Sequence, residues 1–163
     1  MLARGITLRN CLFQSALATV TLLGILFYFG LLTRTAIVAA LGASTFIVFG
    51  IPNSKSAEPR RVIGGHGVCL GVASIFTLLL RYYAIQEITW GRGIIYISMV
   101  AIAVGTAMFV MAITGTQHPP AAGSAFGLVA SGWETGTVAF VIGTAVVLSA
   151  TRHVLRRRLA DLI

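Results

Sequence analysis

Charged residues make up only 10% of this 163-residue sequence, against about 25% in soluble domains. Acidic side chains are rarer still: Glu58, Glu87, Glu134 and Asp161 are the whole set. A cation pathway draws on carboxylates inside the membrane, and these four sit beside loops. Cysteine occurs twice, at Cys11 and Cys69, without paired spacing. That excludes a disulfide framework and a metal signature, so both read as buried structural thiols. Proline occurs four times, at 52, 59, 119 and 120, so each marks a place where a helical pattern stops. No P-loop, dinucleotide fingerprint or G-x-S-x-G frame is present. The expectation is a protein without a cofactor or bound metal, and not an enzyme.

What the sequence does have is apolar length. Hydrophobic residues are 57% of the total and the mean hydropathy is +0.93. From Gly93 to Trp133 no Asp, Glu, Lys or Arg appears. As one helix that run would reach about 60 Å, roughly twice the hydrocarbon thickness of a bilayer. Pro119-Pro120 forbids one continuous helix, so the run breaks near His118 and turns back. The net charge of +8 would suggest nucleic acid in a soluble protein. Here the basic residues sit in loops and at the ends, where they set topology and meet lipid headgroups, so nucleic-acid binding is not expected.

The apolar pattern predicts an all-α, polytopic helical membrane protein, one domain over residues 1–163. Its six hydrophobic segments are 11–32, 35–51, 62–80, 94–114, 121–133 and 136–150. The first follows Arg4 and Arg9 but is too long for a signal peptide and lacks a cleavage site. Polar loops are expected over Pro52–Arg61 and Arg81–Arg92. If all six segments cross, Arg4, Arg9, Lys55, Arg60, Arg61 and the tail arginines 152, 156, 157 and 158 share one side, leaving Arg34, Arg81 and Arg92 opposite. The positive-inside rule then places both termini in the cytoplasm, in a bacterial inner membrane. Three segments on each side of the central loop allow an inverted 3+3 repeat. Ala43-Ser44-Thr45-Phe46 lies over Gly123-Ser124-Ala125-Phe126 in that alignment. Many small-residue faces suit a homo-oligomer.

The polar residues inside this pattern are the candidates for function. His118-Pro119-Pro120 opens the short fifth segment, with Ala121, Ala122, Gly123 and Ser124 behind it. The free N–H groups of such a helix start offer an anion seat, and His118 adds a donor or carries a proton; the other reading is a structural break with His118 bonded to a carbonyl. His66, after Gly64-Gly65, is either a ligand contact or a packed, satisfied side chain. Arg60 is either a topology-setting charge or an anion contact beside His66. Ser44, Ser124, Thr114 and Thr116 either line a polar path or join helices. Glu134 and His153 read as interfacial.

These elements resemble the HPP family of integral membrane proteins. The resemblance rests on His118-Pro119-Pro120-Ala121-Ala122-Gly123, and on Phe49-Gly50-Ile51-Pro52, Ser54, Ala57-Glu58-Pro59-Arg60 and Val62-Ile63-Gly64-Gly65-His66. It covers most of residues 35–150. Some plant members are plastid nitrite transporters, and members are usually described with about four spans. The resemblance implies transport of nitrite or a similar small monovalent anion. The positions it carries over are Pro52, Ser54, Pro59, Arg60, Gly65, His66, His118, Pro119, Pro120 and Gly123. Lys55, Glu58 and Arg61 stand where members often have Pro, Gln and Asn.

The reading that follows is a membrane transporter or channel for a small, nitrite-like anion. Its pathway residues are His118, Pro119, Pro120, Gly123, Ser124, His66, Arg60, Ser54 and Gly65, and its partners are the lipid bilayer and the anion. The alternatives are a structural or assembly protein without transport, and an intramembrane hydrolase using Ser44 or a histidine.

Overall fold

A computed structural model describes residues 8–29, 35–85 and 92–162. The expectations placed on Arg4, Arg34 and Glu87, and on the side chains of Cys11 and Arg92, lie outside what is described. The described residues form six helices: α1 Leu8–Phe29, α2 Thr35–Gly50, α3 Pro59–Ile85, α4 Arg92–Thr114, α5 Pro119–Ser131 and α6 Thr135–Leu155, with one 3₁₀ turn at Lys55–Ala57. No strand occurs among them. Stretches of α3, α4 and α6 (Pro59–Tyr82, Ile95–Thr114 and Thr135–Leu155) are long and apolar enough to span a membrane. Helix α5, with 13 residues, reaches only about 20 Å.

Boundaries that differ from the sequence expectation include both ends of α3 and the end of α6, which is helical to Leu155 instead of 150. Pro59 and Arg60 belong to α3 and not to the preceding loop, because proline suits the first helical position, where its missing N–H costs nothing. The expected loop at Arg81 is also helical as far as Ile85. With no helix breaker in Leu78–Ile85, the chain continues its backbone ladder past the charge.

The helices alternate in direction. Buried Gln14, near the start of α1, donates to the carbonyl of Phe49 at the end of α2 and to that of Ala160 after α6. Arg152, near the end of α6, donates to the Pro52 carbonyl. Arg60, in the first turn of α3, donates to the Thr114 carbonyl at the end of α4. Both described chain ends, the loop 51–58 and the break 115–118 therefore share one side of the bundle. Arg9, Lys55, Arg60, Arg61 and the tail arginines lie on that side, and Arg81 lies at the other end of α3.

The packing has the pattern of an inverted pair. The two halves run in opposite senses, α1–α3 against α4–α6. The helix contacts are α1 with α2 and, slightly, with α6, α2 with α5 and α6, α3 with α4, α5 and α6, and α4 with α5. Exchanging α1 with α4, α2 with α5 and α3 with α6 returns the same set. The core is the buried face shared by α2, α3, α5 and α6, with Leu41, Val48, Phe49, Ala73, Leu128, Phe140 and Leu148 nearly inaccessible.

Helices α2 and α5 cross closely because α5 carries Gly123 and Gly127, four residues apart on one face. A Cβ on Gly123 would sit 2.8 Å from Cβ of Ala40, and one on Gly127 would collide with Ile37. Gly105 of α4 is exposed and faces open space. Gly127→Leu is therefore expected to lower the thermal midpoint in detergent, at a cost of about 1–3 kcal/mol from overpacking, while Gly105→Leu leaves it unchanged. Equal effects of the two substitutions would contradict this packing.

Candidate functional site

The site forms where two chain breaks meet. The first is the loop 51–58, bounded by Pro52 and Pro59. It is held by backbone bonds from Ser54 to the Ile51 carbonyl (3.0 Å), Ala57 to Ser54 (3.1 Å) and Glu58 to Lys55 (3.1 Å). The second ends α4. Gly115 adopts φ +66°, a left-handed conformation that glycine enters without a Cβ penalty. Its N–H approaches the Ala112 carbonyl, and the Thr116 N–H reaches back to Met111 at 3.0 Å. This is the paired closure of a glycine-terminated helix. His118 is then the extended N-cap of α5, with Pro119 and Pro120 in its first two positions.

Two arginine contacts clamp the breaks together, and an ion pair steadies one of the arginines. Arg60 Nη2 donates to the Thr114 carbonyl at 3.2 Å. Arg61 Nη1 donates to Gln117 Oε1 at 2.6 Å, and Arg61 Nε lies 3.5 Å from Glu58. Gly64 and Gly65 let α3 reach the second break: a Cβ on Gly65 would stand 2.8 Å from His118 Cβ and 2.9 Å from the Thr116 carbonyl. The next residue, His66, then points into the junction.

Four polar side chains meet there, all fully inaccessible: Ser44 from α2, His66 from α3, His118 at the start of α5, and Ser124 from α5. His66 Nε2 lies 3.0 Å from Ser44 Oγ, and its Nδ1 lies 2.9 Å from Ser124 Oγ. His118 Nε2 lies 2.9 Å from the same Ser44 Oγ, and its Nδ1 lies 2.8 Å from the Ser56 carbonyl. The two rings are tilted by 59°, with centroids 5.3 Å apart. His66 is seven residues into α3, so the cluster lies about 10 Å along that helix. It is off-centre in the bundle, toward the side that carries both described chain ends.

Donor and acceptor capacity fixes the protons when both rings are neutral. A carbonyl only accepts, so His118 Nδ1 carries a hydrogen and donates to Ser56. Its Nε2 is then a lone pair that needs a donor, and the Ser44 hydroxyl is the one within reach. The Ser44 hydrogen is thereby committed, although the Ala40 carbonyl also lies 3.0 Å away. Ser44 can only accept from His66, so His66 carries its hydrogen on Nε2. His66 Nδ1 then accepts from the Ser124 hydroxyl. The result is one directed chain, Ser124 to His66 to Ser44 to His118 to the Ser56 carbonyl.

Such a chain can pass a proton by successive transfers. A proton arriving on His66 Nδ1 releases that on Nε2 to Ser44, whose own hydrogen moves to His118 Nε2. Every bond then reverses except that to Ser56.

The remaining expected site residues are distributed around this cluster. Gly65 and Gly123 set helix approach. Arg60 is exposed and serves the break, not the imidazoles. Ser54 is half-buried and its hydroxyl is unpartnered. Pro119 is exposed and Pro120 half-buried. The tandem prolines also change the expected anion seat: neither has an N–H, and the next amide, Ala121, already donates to the His118 carbonyl at 2.9 Å. The donors at this break are therefore side chains. Thr114 and Thr116 bond each other at 2.8 Å and stabilise the turn. His153 and Glu134 are exposed. Ser44, a candidate for a polar path or for joining helices, sits at the centre of the cluster. Ser56 was not a candidate, because it acts through a carbonyl that every residue possesses.

Among the described residues, no group of three or more His, Cys, Asp or Glu side chains is placed to hold a metal ion. Cys69 is buried, with Sγ 3.7 Å from Met111 Sδ, as a packed thiol.

Comparison with known proteins gives a family model, HPP transmembrane region, that matches residues 3–159. A transmembrane protein of Dictyostelium discoideum is 31% identical over 90 residues, covering 55% of this chain and 28% of its own length. The chain thus aligns with little more than a quarter of that relative. No solved structure gives a significant match.

Ser44→Ala removes the hydroxyl that serves both imidazoles. It is expected to cost about 1–3 kcal/mol, as for a buried group left unsatisfied, read as a lower thermal midpoint. Thr151→Ala, an exposed self-helix bond, serves as the control. No loss at Ser44 would contradict the shared hydroxyl.

Proposed function

The chain belongs to the HPP transmembrane family, and on that premise we propose that it carries a small monovalent anion such as nitrite across the membrane together with a proton. The observation that carries this reading is the buried chain of two imidazoles and two hydroxyls, set where two helix breaks meet in an otherwise apolar bundle. Polar and titratable groups at such depth are expensive and are kept where they serve a pathway.

In the closed arrangement each donor is used by a neighbour in the cluster. An anion entering between α2, α3 and α5 takes the hydroxyl hydrogens of Ser44 and Ser124, which turn on single bonds. The proton that makes one imidazole cationic supplies the counter-charge. Anion and proton then cross as a neutral pair, which avoids the cost of moving a bare charge through a medium of low dielectric. Arg60 and Arg61 lend positive potential at the same end of the bundle. We assign that end, with its cluster of Arg and Lys, to the cytoplasm of a bacterial inner membrane.

A second reading rests on one specific geometry. Ser44 Oγ lies 3.0 and 2.9 Å from two imidazole nitrogens, the relation of a nucleophile to a general base. Labelling of Ser44 by a serine-reactive fluorophosphonate would favour an intramembrane hydrolase over a transporter.

Proteoliposomes holding the purified protein and a pH-sensitive dye provide the test of transport. A nitrite gradient is expected to drive nitrite entry with acidification of the lumen beyond that of protein-free vesicles. His118→Ala and His66→Ala should each remove most of the protein-dependent flux, while Arg81→Gln on the opposite side leaves it. Flux equal to that of protein-free vesicles, or unaffected by both histidine substitutions, would contradict the proposal.

A further inference from the structure

A cleft of about 550 Å³ opens between the start of α1 and the tail after α6, lined by Arg9, Asn10, Phe13, Arg157, Arg158, Leu159 and Ala160. Its volume falls within the roughly 300–1,000 Å³ of small-molecule sites. It is separate from the histidine cluster.

Its walls are held in place. Gln14 is 1% exposed and uses both ends of its amide on the tail: Nε2 donates to the Ala160 carbonyl at 2.7 Å, and Oε1 accepts from the Ala160 N–H at 3.3 Å. The tail is further pinned by Leu162 N–H on the Gly50 carbonyl (2.8 Å) and by Asp161, which accepts from the Asn53 amide at 3.0 Å. The segment from Leu159 to Leu162 is thus fastened to α1, α2 and the loop 51–58.

The lining has two chemistries. Three guanidinium groups face the cleft, and none of them pairs with a carboxylate among the described residues. The nearby acid, Asp161, is engaged elsewhere, and Glu58 stands beside Arg61. Below the arginines, beside Asn10, Phe13 and Leu159 add apolar wall. Phe13 lies one turn deeper than Arg9 on the same face of α1, since residues four apart share a face, and Leu159 is buried. Guanidinium forks fit phosphate oxygens two at a time.

We propose that this cleft binds a phosphate group, and that the group belongs to an anionic phospholipid whose acyl portion lies against Phe13 and Leu159. The phosphate explains three unpaired arginines in a fastened pocket. The apolar floor toward the membrane favours a lipid over free phosphate.

The full-length protein in nonionic detergent is titrated with short-chain phosphatidylglycerol, with short-chain phosphatidylcholine and with inorganic phosphate. Thermal midpoint and native mass spectrometry are the readouts. Phosphatidylglycerol is expected to raise the midpoint and to persist as a one-to-one adduct. Arg157→Gln combined with Arg158→Gln should weaken that binding about tenfold or more, the loss of at least one charge-assisted hydrogen bond. Lys55→Gln combined with Arg156→Gln removes equal charge from the same face outside the cleft and should change binding less than about twofold. Arg157→Lys with Arg158→Lys keeps the charge and should restore part of the affinity, which separates recognition from misfolding. Stabilisation by inorganic phosphate alone, lost in the same glutamine variant, would support the phosphate site and assign it to a soluble source. Equal responses in the two charge-matched glutamine variants, or no response to either ligand, would overturn the proposal.

Discussion

Two imidazoles compete for the single hydrogen of Ser44, and the organisation of the site follows from how that competition is resolved. Because His118 is already committed to the Ser56 carbonyl, it takes the serine hydrogen and His66 must supply its own. That condition ties α2, the loop 51–58, α3 and the start of α5 into one polar unit. The surrounding packing exists at the separations the unit requires. Gly65 removes the Cβ that would keep α3 from the second break, and Gly123 does the same between α5 and α2.

The inverted relation between the halves gives the cluster its shape. Ser44 of α2 and Ser124 of α5 each face a different nitrogen of His66. The exchange relates α2 to α5 and α3 to α6, so His66 of α3 and His118 at the start of α5 are not partners in it. The Ser56 carbonyl, which commits His118 Nδ1, gives the hydrogen-bond chain its direction.

Much of the fold was legible because apolar length and proline position are strong local signals. All six expected segments appear as helices, and each begins or ends within a few residues of its expected bounds. The glycine stop at 115 and the proline start at 119 place the second break where the sequence suggested. The site was legible as a list of residue types more than as an arrangement. His66 and His118 stood out because a titratable ring in an apolar run is conspicuous. Their meeting through Ser44 was not readable, since it depends on the angle at which α2 crosses α5. Arg60 shows the opposite case. Its spacing from His66 suggested a shared site, yet six residues along a helix turn the side chain away from the ring, and the nearest acceptor is the open carbonyl at the end of α4. At the start of α5 the prolines that create the break carry no amide hydrogens, so that helix start offers fewer free N–H groups than its position suggested.

The direction of the hydrogen-bond chain is written in the positions of its ring protons. Nitrogen-15 spectra of the histidine-labelled protein, at a pH where both rings are neutral, report which nitrogen of each ring is protonated. His118 is expected to be protonated on Nδ1 and His66 on Nε2, with both assignments perturbed in Ser44→Ala. His66 protonated on Nδ1, or two ring environments indifferent to the loss of the Ser44 hydroxyl, would contradict this direction.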